Sequence, residues 1–214
     1  TEEESSLRPR AARALGIREN EILGLRLCRM SLDARKKNDI FFSCAVILEL
    51  PPALEDKLLK KGLAGVEKAA TQEPIVWQRG ESALDAPVAV VGLGPAGLFA
   101  AYALARQGYR PIVVERGKPI AERASLVARF FDGGPLDPNC NVMFGEGGAG
   151  AFSDGKLTTR IKDPWAHEVL RLLVEHGAPA DIRIQAKPHI GTDNLPRMVR
   201  SIRRRVIELG GEDA

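Results

Sequence analysis

Histidine, cysteine and aromatic side chains are scarce in this 214-residue chain, which has three His, three Cys, two Trp, two Tyr and seven Phe. Cys28, Cys44 and Cys140 form no CxxC pair and cannot all pair with one another, which excludes a disulfide framework. His167, His176 and His189 are scattered, so no metal site is expected. No apolar run reaches 18 residues, so no membrane-spanning segment is expected. Neither sign of charge dominates: 31 Lys and Arg stand against 28 Asp and Glu, a net +3. The basic residues Arg8, Arg10, Arg13, Arg18, Lys36 and Lys37 lack interleaved aromatics for base stacking, so a solvated face is expected there and no nucleic-acid partner. Unpaired cysteines in a chain of globular composition point to a cytoplasmic setting.

Glycine is the residue this chain does have, 21 in all, and its glycines concentrate in two places. The first follows the apolar run Val88–Val91 as Gly92-Leu-Gly94-Pro95-Ala96-Gly97, then an Ala-rich segment ending at Gly108, then Ile112-Val-Val114 and Glu115. This is strand, glycine turn, helix, strand, acid. Gly92 permits the tight turn, Gly94 lets the backbone approach a pyrophosphate, and Gly97 lets the helix pack close to the sheet. The helix N-terminus faces the anion. Glu115 follows Gly92 by 23 residues, at the strand end where a carboxylate can accept hydrogen bonds from ribose hydroxyls.

The second place is Phe144-Gly-Glu-Gly-Gly-Ala-Gly-Ala-Phe-Ser-Asp-Gly-Lys-Leu157, with five glycines from Gly145 to Gly155. Such a run is not core, and its amides can converge into an anion-binding nest. Gly150 to Lys156 also fits G-x-x-x-x-G-K, but Leu157 stands where Ser or Thr should hold magnesium, which argues against a nucleoside-triphosphate loop.

In chain order, Glu2–Leu15 reads as a helix with Ser5 or Ser6 as its N-cap. Ile22–Met30 and Ile40–Leu50 read as strands turned by Asp33–Asp39, and Ala53–Lys61 as a short helix. Residues 71–86 read as a boundary. Lys118–Phe131 and Asp163–Gly177 read as helices, as does the segment carrying the stripe Leu195, Met198, Val199, Ile202, Val206 and Leu209. Arg197, Arg200 and Arg204 lie on its other side. The expected division is a small α+β domain over 1–82, the first part of a dinucleotide-binding domain over 83–162, and a helical segment over 163–214 that leads toward a substrate domain.

The motifs Gly-Pro-Ala-Gly97, Glu115-Arg-Gly, Phe144 to Leu157 and Pro188-His-Ile-Gly-Thr-Asp193 together resemble a bacterial family of FAD-dependent dehydrogenases, also described as NAD(P)/FAD-dependent oxidoreductases, with a glutathione-reductase-like FAD fold. That resemblance implies an α/β protein with an incomplete Rossmann-like FAD-binding domain behind the small α+β domain, an N-terminal portion of a longer flavoprotein. It places Gly92, Gly94, Pro95, Ala96 and Gly97 at the FAD pyrophosphate, Glu115 at the adenosine ribose and Arg116 on the adenine side. Gly147, Gly148, Ala149 and Gly150 would run beside the flavin, with Ser153 close by. Asp154 and Lys156 are the expected catalytic residues, and NAD(P)H is an expected electron donor. Cys140 stands where the family carries Ser and is expected to be a neighbour without redox function. Two other readings stay open, an NAD-dependent Rossmann dehydrogenase and a non-catalytic nucleotide- or RNA-binding module. Substrate and oligomeric state are not readable.

Overall fold

The computed structural model describes residues 2–70, 75–82, 84–159, 161 and 163–213. The expected boundary at 71–86 lies partly outside them, at 71–74 and 83. Contacts divide the chain into two units, residues 1–74 with 183–186, and residues 75–182 with 187–214.

In the first unit, α1 (Glu2–Leu15) precedes β1 (Gly24–Lys36), β2 (Asp39–Glu49) and α2 (Pro52–Lys60). Ser5 and Ser6 lie inside α1, a correction to the expected cap, since serine is only mildly unfavourable within a helix and need not end one. β1 and β2 pair antiparallel from Gly24↔Glu49 to Lys36↔Asp39. The charged stretch expected to turn the chain is therefore mostly strand. Residues exposed on both faces of a ribbon meet no packing rule against charge, so composition is a poor guide there. Ala12, Leu15, Ile22 and Leu58 are the buried apolar residues described in this unit. Residues 183–186 join this unit: Met30 N–H donates to the Ile184 carbonyl at 2.7 Å, and Ala186 N–H to the Met30 carbonyl at 2.9 Å.

The second unit is a parallel β-α-β arrangement. β3 (Ala89–Val91) leads through α3 (Pro95–Arg106) to β4 (Ile112–Val114), and α4 (Ile120–Phe131) follows. Then come α5 (Pro164–Glu175), α6 (Asn194–Glu208) and β5 (Glu212–Asp213). β4 lies between β3 and β5 and is parallel to both. Val90 and Val113 face a core shared with Leu98, Ala101, Tyr102 and Ala105 of α3. The expected stripe of α6 supplies Leu195, Met198, Val199, Ile202 and Val206 to the same core. Among the described residues no helix is long and apolar enough to cross a membrane.

α3 and α5 are tied at the surface through Glu168. Its carboxylate accepts from Trp77 Nε1 at 3.1 Å, from Arg171 Nη2 at 2.6 Å and from Arg106 Nη1 at 3.4 Å. Hydrogen bonding from Arg171, foremost, holds the Glu168 carboxyl down at about 2, against an ordinary 4.5. A depressed folded-state value contributes stability that is complete above the unfolded value and lost as pH falls through the folded one. Replacing Glu168 with Gln should flatten the fall in melting temperature between about pH 4.5 and pH 2. Parent and variant curves of equal steepness in that window would contradict this.

Candidate functional site

The three glycines of the first loop occupy three different environments. Gly92 follows β3 with φ +90°, a left-handed conformation that side chains resist, and its N–H donates to the Val114 carbonyl at 2.7 Å. Gly94 is the N-cap of α3, Pro95 fills the first turn, and no side chain caps the helix. A Cβ at Gly92 or Gly94 would meet no atom within 4 Å, so the approach to this turn is open. A Cβ at Gly97 would overlap the Gly92 carbonyl oxygen, because strand and helix backbones touch there. The first intrahelical bond runs from Leu98 N–H to the Gly94 carbonyl at 2.9 Å. The Ala96 and Gly97 amides precede it, at the positive end of the helix dipole.

Glu115, directly after β4, closes the turn from below. Its Oε2 accepts from Leu93 N–H at 2.6 Å and its Oε1 from Gly117 N–H at 2.7 Å. A carboxylate has about four lone-pair sites, so each oxygen can still accept from a ligand hydroxyl. The guanidinium of exposed Arg116 stacks over the Phe144 ring, 4.3 Å from its centroid.

The second glycine loop docks on the first. Gly147 N–H donates to the Leu93 carbonyl at 2.7 Å. A Cβ on Gly148 would stand 3.3 Å from the Gly94 Cα and 3.2 Å from the Pro95 Cδ. Ala149–Phe152 then makes one 3-10 turn. Ser153 Oγ donates to the Gly150 carbonyl at 2.8 Å and accepts from Gly155 N–H at 3.0 Å. No helix follows Lys156 at once, so the segment lacks the strand–loop–helix context of a nucleoside-triphosphate loop.

Asp154 and Lys156 form an exposed ion pair at 2.9 Å. The hydrogen bond between them lowers the Asp154 carboxyl from its usual range and raises the Lys156 ammonium. The Pro188–Gly191 motif lies alongside: Leu157 N–H donates to the Pro188 carbonyl at 2.8 Å, and Gly191 N–H to the Asp154 carbonyl at 3.0 Å. Lys156 and His189 face each other in an antiparallel bridge. The structure thus brings together the expected Gly92–Gly97 and Gly147–Gly150 segments, and carries Asp154 and Lys156 a few residues further along the same chain.

Sequence reasoning missed the side chains that hold the second loop. Arg123 of α4 is fully buried. It donates to the carbonyls of Asn141 (2.9 Å), Val142 (2.7 Å), Gly145 (3.3 Å), Glu146 (2.7 Å) and Gly148 (2.8 Å). Burial pushes its guanidinium down from the ordinary range, with Cys140, Glu115 and Glu146 opposing. Glu146 is 1% exposed; its Oε2 accepts from Ile120 N–H at 2.5 Å, and its Oε1 lies 2.9 Å from Arg203 Nε in an ion pair without hydrogen-bond alignment. Buried Cys140 accepts from Lys118 N–H at 3.3 Å, a structural contact. One signal for Arg123 was available, since it lies with Ile120 and Val127 on the buried stripe of α4.

Comparison with known proteins sets a chemical frame around this geometry. Residues 87–187 match the FAD dependent oxidoreductase family. That stretch contains both glycine loops, Glu115, Arg123 and the Asp154–Lys156 pair. The match supports an FAD-oxidoreductase relationship for this segment and does not extend to the finer glutathione-reductase-like grouping. Residues 1–64 match a family described as a domain of unknown function (DUF8436). A Clostridium beijerinckii protein described as an uncharacterized protein is 44% identical over 208 residues, 96% of this chain and 38% of that relative. The chain spans well under half the length of this relative.

The residues present fit an FAD. Helix-terminal amides without a side-chain cap, open space beside Gly94 and a carboxylate with spare acceptor capacity are what a dinucleotide's pyrophosphate and ribose require.

Proposed function

We propose that this chain forms the cofactor-binding part of an FAD-dependent oxidoreductase with a Rossmann-like core. In this reading Gly92, Gly94, Pro95, Ala96 and Gly97 hold the pyrophosphate, Glu115 the adenosine ribose, and Arg116 the adenine side. Gly147–Gly150 runs beside the flavin. Residues 1–82 are an accessory module, 83–162 carry the cofactor contacts, and 163–214 lead toward a substrate-binding part. The observation that carries the reading is the seating of Gly148 against Gly94 and Pro95. A nicotinamide-only dehydrogenase has no use for a second glycine loop docked on the first.

Bound FAD supplies the hydride and electron chemistry, while the protein supplies binding, orientation and charge. Lys156 brings the positive charge, and Asp154 holds its ammonium in place. The test is a visible spectrum of the longest protein carrying these residues, with release and identification of its cofactor. Flavin absorbance and released FAD are expected; a colourless protein that takes up no added FAD would overturn the reading. Lys156→Ala should leave FAD bound and move its reduction potential to more negative values, since it removes a cation and strands the Asp154 carboxylate. An unchanged potential by dye-coupled reduction would remove Lys156 from the site.

A further inference from the structure

The buried guanidinium of Arg123 has a geometry that packing alone does not explain. Five backbone carbonyls between Asn141 and Gly148 converge on it. Carbonyl dipoles aimed at one point repel one another, so this loop shape requires a cation at its centre. The carbonyls meet the guanidinium from separate directions, one at Nε, one at Nη2 and three at Nη1, which shares its two hydrogens among them; a planar fork reaches all of these, whereas an ammonium offers three donors from a single point. In a trans peptide the C=O and the next N–H point in opposite directions. Drawing the Glu146 and Gly148 carbonyls toward Arg123 therefore turns the Gly147 and Ala149 amides away from it. The Gly147 amide meets the Leu93 carbonyl of the first loop. Glu146 fixes the same loop a second way, through the Ile120 amide on α4 and Arg203 on α6.

We propose that Arg123 is the positioning residue of the flavin-side loop: it sets the orientation of the Gly145–Ala149 peptides toward the cofactor without touching the cofactor itself. The inference rests on the FAD reading above. It assigns the two ends of the cofactor to separate supports. The Gly92–Gly97 turn and Glu115 hold the ADP end, and Arg123, through the loop it shapes, governs the flavin end. Arg203 supports the same loop from α6 through Glu146, with a weaker grip because its side chain is 23% exposed.

The experiment compares FAD and ADP binding, by calorimetry, in the longest available protein and its Arg123→Lys variant after cofactor removal. The variant should weaken FAD about tenfold or more and leave ADP within about twofold, because charge is kept while the fork is lost. Equal FAD affinity in parent and variant would overturn the proposal, as would a parallel loss of both ligands, which would assign Arg123 to general folding. A parent that binds no FAD would instead overturn the functional reading beneath it. Should Arg123→Lys fail to fold, Arg203→Gln provides the second route, with an FAD loss of about threefold, unchanged ADP affinity and a lowered melting temperature, since Glu146 keeps the Ile120 amide but loses its cation. An Arg203→Gln protein with parental FAD affinity would then count against the positioning role.

Discussion

Gly97→Val should abolish FAD binding and destabilise the second unit strongly. The atom a Cβ at residue 97 would strike is the Gly92 carbonyl oxygen, which belongs to backbone and cannot rotate aside, and Val90 Cγ1 stands 3.4 Å away as well. Relief requires α3 to lift from β3. Overpacking of this kind costs roughly 1–3 kcal/mol where side chains can yield, and more where they cannot. Lifting the helix also disturbs Leu93, whose carbonyl receives the Gly147 amide and whose amide donates to Glu115. Gly94→Ala separates the two effects. At Gly94 φ is −71° and a Cβ meets nothing within 4 Å, so the melting temperature should hold. In the proposed FAD reading the added methyl takes up space left for the pyrophosphate, so FAD affinity should fall. Thermal melting and flavin titration of both variants check the pair. A Gly97→Val protein with parental melting and FAD affinity would show that strand and helix are not in contact there.

The first loop was legible because its information is local. The turn, the Ala-rich helix, Ile112–Val114 and Glu115 follow one another within one β-α-β unit, and the Gly92 turn and the Gly97 close approach are backbone requirements that sequence spacing records. The α6 stripe was legible through its helical period. What escaped depends on contacts made at a distance. Arg123 reaches carbonyls 18 to 25 residues away, and nothing in the glycine run states that its oxygens face inward. Glu146 stands between glycines in the sequence, and nothing local marks it as buried against an amide and a guanidinium. Nothing in the Glu115-Arg-Gly117 motif shows that a Cβ at Gly117 would run into the Gly145 backbone, where the two glycines form one close approach. β5 is two acidic residues, Glu212 and Asp213, recognised by pairing with β4 rather than by any alternation. The return of residues 183–186 to Met30 is equally non-local.

Arg123→Met tests the energetic side of the same buried group. Methionine matches much of the length of arginine and none of its donors. The substitution leaves the carbonyls of Asn141, Val142, Gly145, Glu146 and Gly148 without their shared donor and removes a buried positive charge. Each buried carbonyl left unsatisfied costs about 1–3 kcal/mol unless water enters. The Gly145 and Gly148 carbonyls keep the Gly148 and Ala151 amides, and Arg203 still pairs with Glu146, which holds the expected loss to about 3–5 kcal/mol. Denaturant unfolding should show a lower midpoint for the second unit. Because the carbonyls would relax toward any donor available, the loop should also become more open, with faster amide exchange at Gly147 as its bond to Leu93 loosens. Parental stability together with parental exchange at Gly147 would mean that the loop holds its shape without a cation, and the carbonyl convergence would then be a consequence of the fold rather than a cause of the site.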